Sequence, residues 1–239
     1  MYKRLLLKLS GEALKDDDNS MILSGKKLKD FAQVIKSLHD NGFEICVVIG
    51  AGNIWRGKIA EEAGLERVPA DFMGMMGTVI NAVALSNSLK NINVPTLITS
   101  AIPEIPEIDT NYSPELADKA MSEGKVVFLA GGTGKPYYST DTAATLRAIE
   151  TKCDVILVGK NGVEGIYTAD PNKDPNAKFI KSITYDEILN LNLQIMDISA
   201  IELIKDKNIQ IRIFSMAQPE NFLKVANGED IGSVCKRKE

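Results

Sequence analysis

Histidine is nearly absent from this 239-residue chain: His39 stands alone. It falls on the last turn of an expected helix, where a surface or dipole role suits it. That leaves no good Ser-His or Cys-His couple and no His-rich metal centre, so hydrolytic and zinc chemistry are excluded as first readings. Cysteine is scarce as well. Cys46, Cys153 and Cys235 are odd in number, far apart and without metal-ligand spacing, which points to a reducing compartment. The first two adjoin apolar runs and read as small core residues. A charge excess is missing too: 28 Lys+Arg against 32 Asp+Glu give a net −4, which argues against a nucleic-acid partner. The basic stretch Lys236-Arg237-Lys238 reads as a solvated terminus. Long apolar runs are also lacking. Leu5-Leu6-Leu7 is broken by Lys8, which spoils a signal peptide, and no stretch approaches the ~20 residues of a membrane helix. The expectation is a cytoplasmic protein with no membrane partner.

What the chain does contain is an alternation of short apolar runs and amphipathic segments. Residues 3–9, 45–49, 94–98, 126–130, 154–158 and 209–214 read as strands. Their continuous apolar character is that of strands covered on both faces in a parallel sheet. Between them, Leu28, Phe31, Ala32, Ile35 and Leu38 mark one helical face, closed at Asn41-Gly42. Residues 72–90 read as a long Met-rich helix after an irregular stretch, and further helices fall near 114–123, 142–149, 185–191 and 197–206. Asp16 to Asn19, Pro103 to Pro106 and Lys173 to Asn176 read as loops. The fold class is α/β, a three-layer α/β/α sandwich around a mainly parallel sheet. With no repeat or linker, residues 1–239 are expected to form one domain.

Ligands of open α/β sheets bind beyond the carboxyl ends of the strands. Four loops in that position carry glycines with polar partners: residues 8–12, 50–57, 131–141 and 159–170. In the third, Gly131-Gly132-Thr133-Gly134 stands between a strand and a helix, an arrangement that points free backbone N–H groups at an anion. Two common phosphate motifs fail. Pro136 follows Gly134-Lys135 where a P-loop needs Ser/Thr, and Trp55 replaces the third glycine of G-x-G-x-x-G after Gly50-Ala51-Gly52.

Lys8 ends an apolar strand, so its ammonium calls for an anion: a phosphate, or else Glu12 or another carboxylate. Arg56 suits bidentate phosphate recognition, with a surface ion pair as the alternative. Asp71 reads either as the N-cap of the Met-rich helix or as a ribose acceptor. Asp141 opens a helix, and Asp170 stands before Pro171 in a common turn pair. Phosphoryl transfer fits such a set, because it needs positioning and positive charge more than a tuned base.

Taken together these segments resemble a known family. Lys8-Leu9-Ser10-Gly11-Glu12, Gly50-x-Gly52-Asn53-Ile54-Trp55-Arg56-Gly57 and Ala70-Asp71-x-Met73-Gly74-Met75 are similar to motifs of the bacterial uridylate (UMP) kinases. So are Gly132-Thr133-Gly134-x-Pro136 through Thr140-Asp141, and Gly165-Ile166-Tyr167-Thr168-Ala169-Asp170-Pro171. The resemblance continues through Met196-Asp197 to Arg212-Ile213-Phe214 and implies the amino-acid-kinase fold.

It implies that Lys8, Leu9, Ser10, Gly11, Gly52, Arg56, Asn161, Tyr167 and Asp170 hold ATP, the N-terminal part binding mainly UMP and the C-terminal part mainly ATP. Ala51, Asp71 and the run Thr133, Gly134, Lys135, Pro136, Tyr137, Tyr138, Ser139 and Thr140 would hold UMP. Lys8, Arg56 and Asp141 would be catalytic, Asp141 organising the charges of Lys8 and of Mg²⁺ on the ATP phosphates, with no protein metal site assigned. The family further implies a homohexamer in pyrimidine synthesis, activated by GTP and inhibited by UTP. Two residues depart from its pattern. Ala51 replaces a glycine, its methyl expected to narrow the phosphate gap, and Lys135 replaces an asparagine. Rival readings are a kinase of the same fold acting on a carboxylate or carbamate, and a non-catalytic nucleotide sensor or storage protein.

Overall fold

The computed structural model describes residues 2–18, 20–102, 105–108 and 110–238, with Lys58 described by its backbone alone. The loop residues Asn19 and Pro103 lie outside the described residues. In chain order the elements are β1 (Arg4–Leu9), a 3-10 turn (Gly11–Leu14), α1 (Gly25–Asp40), β2 (Glu44–Ile49), α2 (Gly57–Glu62) and α3 (Arg67–Lys90). Then come β3 (Thr96–Ser100), β4 (Thr110–Asn111), α4 (Pro114–Ser122), β5 (Val126–Ala130), α5 (Thr140–Glu150) and β6 (Val155–Lys160). The last group is β7 (Ile166–Tyr167), β8 (Phe179–Ile180), β9 (Ser182–Thr184), α6 (Tyr185–Asn190), α7 (Ile198–Ile204), β10 (Gln210–Ser215), α8 (Asn221–Ala226) and β11 (Ser233–Lys236).

Among the described residues nine strands form one sheet in the order β4-β3-β5-β2-β1-β6-β10-β11-β9. Every pairing is parallel except β10 with β11. β7 and β8 make a separate antiparallel pair. Strand alternation sorts the core into two layers. Leu5, Leu7 and Leu9 face α1, α3 and α8 together with Val47, Phe128 and Leu157. Leu6 faces α4, α5, α6 and α7 together with Val48, Val127, Ile156 and Ile213. The apolar runs are therefore covered on both sides, as a parallel sheet requires.

Several expectations are corrected here. α3 begins at Arg67 rather than residue 72, because Pro69 lies in its first turn, where a missing N–H leaves no helix bond unmade. Asp71 is consequently inside the helix, and Glu66 is its N-cap. The stretch read as irregular contains α2. β3 starts at Thr96, past Pro95, which has no N–H to give the ladder. The strand at 209–214 is not the last: β11 follows it, so Lys236 ends a strand instead of opening a solvated tail.

α3 also overturns the expectation about apolar length, since by length and composition it could cross a membrane. Its apolarity has another cause here. Met75, Val79, Ala82, Leu85 and Leu89 are buried, and the internal polar residues Asn81 and Ser86 hydrogen-bond within the protein. Finally, Cys46 and Cys153 are distant only in sequence: their sulfurs lie 3.6 Å apart as free thiols in the core.

Candidate active site

The carboxyl ends of the central parallel strands converge on one edge of the sheet. β1, lying between β2 and β6, delivers Lys8 there. Lys8 follows Leu6 on the α5 face, and α5 opens on that face with Thr140 and Asp141. Ser139 caps the helix, accepting hydrogen bonds from the N–H groups of Asp141 (3.1 Å) and Thr142 (3.2 Å). The Asp141 carboxylate meets the Lys8 ammonium at 2.6 Å, both side chains being largely withdrawn from solvent. Of the partners foreseen for Lys8, the carboxylate is thus Asp141 and not Glu12.

Glu12 turns instead to Arg56, with N–O distances of 2.5 and 3.1 Å. That hydrogen bond holds the Glu12 carboxyl below its usual range. Arg56 also donates to the Gly52 carbonyl at 3.0 Å. The guanidinium thus makes the surface ion pair foreseen as its alternative.

The glycine loops pack backbone on backbone. A side chain at Gly11 would run into the Gly50 carbonyl and the Asn53 side chain, so this position needs a residue without Cβ. Leu9 contributes only backbone to this edge. Its side chain is core, and its carbonyl accepts from the Gly50 N–H at 2.9 Å. Ser10 is exposed and makes no capping bond. Beneath the loop after β2, Asn53 and Asn81 exchange side-chain hydrogen bonds of 2.8 and 2.9 Å, and Asn81 also donates to the Gly50 carbonyl at 2.8 Å. The Ala51 methyl turns toward α3, so closely that a Cβ at Gly77 would stand 2.8 Å from it. Gly77 absorbs the extra methyl expected to narrow the phosphate gap.

The main cavity, about 670 Å³, opens between the β2 and β5 loops, α3 and the start of α5. Its lining brings together Ala51, Gly52, Asp71, Thr133, Lys135, Tyr138, Ser139 and Thr140 of the expected set. Gly134, Pro136 and Tyr137 are not among the lining residues. Tyr137 is 65% exposed and has a left-handed backbone, φ 73°. Its N–H donates to Asp71 at 2.7 Å. Arg67, one helical turn before Asp71, donates to both carboxylate oxygens at 2.8 Å and lies 5.4 Å from the Tyr137 ring centre. Asp71 therefore joins α3 to the loop 133–138 across the cavity mouth.

The residues expected to hold ATP are divided. Asn161 lines a cavity of about 520 Å³ with Glu12, Lys15, Phe31 and Phe222. Tyr167 and Asp170 line another, about 500 Å³, with Lys160 and residues 191–195. Asp170 folds its own turn, accepting from the Asn172 N–H at 3.0 Å and pairing with Lys173 at 3.5 Å. His39 is remote from all of these. It sits 2.9 Å from the Gly124 carbonyl, at the opposite edge of the sheet.

One residue at this edge escaped the sequence reading. Lys160 ends β6 beside β1, and burial lowers its pKa, with the Lys8 charge adding to the effect and Asp141 opposing it. The signal available in sequence was the same as for Lys8: a lysine on the carboxyl end of an apolar strand, two residues past Val158.

Two glycine loops, a Lys–Asp pair and a helix N-terminus meet at one sheet edge, an arrangement suited to phosphoryl transfer. Residues 3–215 match the amino acid kinase family, and the chain belongs to it. Its relatives within that family include uridylate kinases. That of Pediococcus pentosaceus is 42% identical over 238 residues, covering 100% of this chain and 98% of the relative. That of Mycoplasmopsis pulmonis is 43% identical over 222 residues, covering 93% and 91%. Among solved structures, a UMP kinase from Bacillus anthracis superposes with a TM-score of 0.95 at 36% identity, covering 100% of this chain and 97% of that one. One from Ureaplasma parvum gives 0.92 at 37%, covering 99% and 100%.

Proposed function

We propose that this chain transfers a phosphoryl group from ATP to UMP, giving UDP and ADP in pyrimidine nucleotide synthesis. Likeness to uridylate kinases over nearly the whole chain supports this most strongly, because it includes the strand-end loops that would hold both nucleotides. The acceptor is a phosphate oxygen whose second pKa is about 6, so it is already ionised near neutral pH. No general base is then required, in keeping with a site that has Lys8 and Asp141 but no imidazole.

In this reading UMP lies in the main cavity. Asp71 accepts from its ribose hydroxyls, and residues 133–140 with Ala51 surround it. Lys8, the N–H groups of Ser10, Gly11 and Gly52, and Arg56 draw charge from the transferring group. Asn161, Tyr167 and Asp170 hold the rest of ATP, and the chain works as one catalytic domain. Mg²⁺ commonly takes one or two carboxylates beside substrate phosphates. Asp141 fits that part, since its second oxygen accepts no hydrogen bond from the described residues. When bound, the ion would neutralise phosphate charge.

α3 carries Val68, Phe72, Met76 and Ile80 at four-residue spacing, each more than a third exposed. This stripe supports self-association, which we assign to the homohexamer expected of the family. Cytoplasmic location and control by GTP and UTP belong to the same reading.

The test is ADP release with Mg-ATP and UMP, CMP, AMP, GMP or glutamate as acceptor. Strong preference for UMP is expected, and Lys8→Ala should lower turnover by roughly 10²–10³-fold. Turnover with glutamate, or ATP binding without turnover on any acceptor, would overturn the proposal. Near-normal turnover by Lys8→Ala would overturn the role of Lys8.

A further inference from the structure

Lys160 is not used by the mechanism above, yet its position is costly. Lys8 is paired with Val158 across the parallel ladder, so the two side chains share a face, and Lys160 lies two residues further along the same face. With strands about 4.8 Å apart and a rise of about 3.3 Å per residue, the two lysine Cα atoms stand roughly 8 Å apart. Lysine side chains span that distance easily. The Asp141 carboxylate is held by Lys8 at 2.6 Å, and the Lys160 ammonium has no hydrogen-bond or ion-pair partner among the described residues. A partly buried cation beside a like charge, without a partner of its own, destabilises the empty protein.

The side chain borders the cavity of about 500 Å³ that also holds Tyr167, Thr168 and Asp170. Lys160 thus stands between that cavity and Lys8. An anion reaching from the one to the other must pass it, and a chain of phosphates has the right length and charge. A ligand carboxylate or a single phosphate would satisfy one lysine; a polyphosphate satisfies both.

We propose that Lys160 is a second phosphate-binding residue of the donor site. It contacts the polyphosphate of the nucleoside triphosphate directly, while Lys8 serves the group in transit. The inference rests on the reading that the donor phosphates lie at the Lys8 edge. It accounts for an unpaired lysine that the fold alone has no use for, since positions that weaken the empty protein are expected where a ligand completes them.

The test compares Lys160→Gln, Lys160→Arg and Lys8→Ala by calorimetric titration with the non-hydrolysable analogue AMP-PNP and with adenosine, together with steady-state kinetics. Lys160→Gln should weaken AMP-PNP roughly 10- to 100-fold, the range for a hydrogen bond to a charged group. It should leave adenosine affinity within about twofold, raise KM for ATP and leave KM for UMP unchanged. Lys160→Arg should recover part of the loss. The melting temperature of ligand-free Lys160→Gln should equal or exceed that of the parent, because only an unpaired cation is removed. Equal losses for AMP-PNP and adenosine, or a lowered ligand-free melting temperature, would make the role structural and overturn the proposal. Unchanged AMP-PNP affinity in Lys160→Gln with a loss in Lys8→Ala would overturn this inference alone. No loss in either variant would overturn the placement of the donor phosphates itself.

Discussion

Replacing Asn81 by aspartate tests whether the buried amide pair beneath the glycine loop holds that loop in place. Asn81 is fully buried, and its amide nitrogen serves two acceptors, the Gly50 carbonyl and the Asn53 side-chain oxygen, each at 2.8 Å. Asp has the same shape. As a carboxylate it would face both oxygens without a proton to offer; as a neutral acid it could still donate once. The folded protein therefore favours the protonated form, and burial acts in the same direction. An unfolded Asp titrates near 3.9, and a rise of about 3 units would bring the folded value to roughly 7.

Because the folded pKa is raised, the folded state binds more protons than the unfolded one. Stability is then greatest below pH ~4, falls as pH rises, and levels off above pH ~7. At about 1.36 kcal/mol per unit, the titration removes roughly 1.5 kcal/mol at pH 5 and 4 kcal/mol at pH 8. For a chain of this size the difference corresponds to an extra fall in Tm of about 5–10 °C between those pH values. Thermal melts of variant and parent at pH 5 and pH 8, followed by circular dichroism, measure it. Equal Tm losses at both pH values would refute the reasoning, since they would mean that Asn81 is not the donor on which the loop depends.

Two further outcomes follow from the same structure. Thr184 and Glu187 form a reciprocal capping box at the start of α6, so Thr184→Ala should lose about 1 kcal/mol in urea unfolding while UMP kinase activity stays at the parent level. A loss below about 0.3 kcal/mol would show that the cap is not contributing. All three cysteines are buried; burial pushes the Cys46 thiol well up and raises Cys235 to about 12. Native protein at pH 8 should therefore resist a disulfide reagent such as DTNB, with all three thiols reacting in denaturant, and rapid labelling of one native thiol would contradict this burial.

Legibility from sequence followed the range over which each feature is determined. β1, β2, β5, β6 and β10 were readable because burial on both faces writes an apolar run into the chain itself. β4, β7, β8, β9 and β11 span only two to four residues and take their strand character from the neighbour they meet, which no local pattern records. The start of α3 was hidden by Pro69, a breaker inside a helix but harmless in its first turn. At the site, the strand-end loops and Lys8 could be found by position. The link between Lys8 and Asp141 came only with the family resemblance, because their direct contact depends on which face of β1 receives α5. Lys160 met the same criterion as Lys8 and was lost among the polar residues of its loop.

The placing of β11 bears on how the sheet is completed during synthesis. Among the described residues β9 joins the sheet through β11 alone, although about fifty residues separate the two in the chain. Leaving the ribosome at about 5–20 residues per second, a nascent chain waits roughly 3–10 s between the appearance of β9 and that of its only partner. β10 emerges partway through that interval, and from then on it presents an open edge, the kind that recruits strands from other chains. The vulnerable moment in making this protein thus falls late, after the glycine-rich strand-end loops have all emerged and before residues 233–236 close the row.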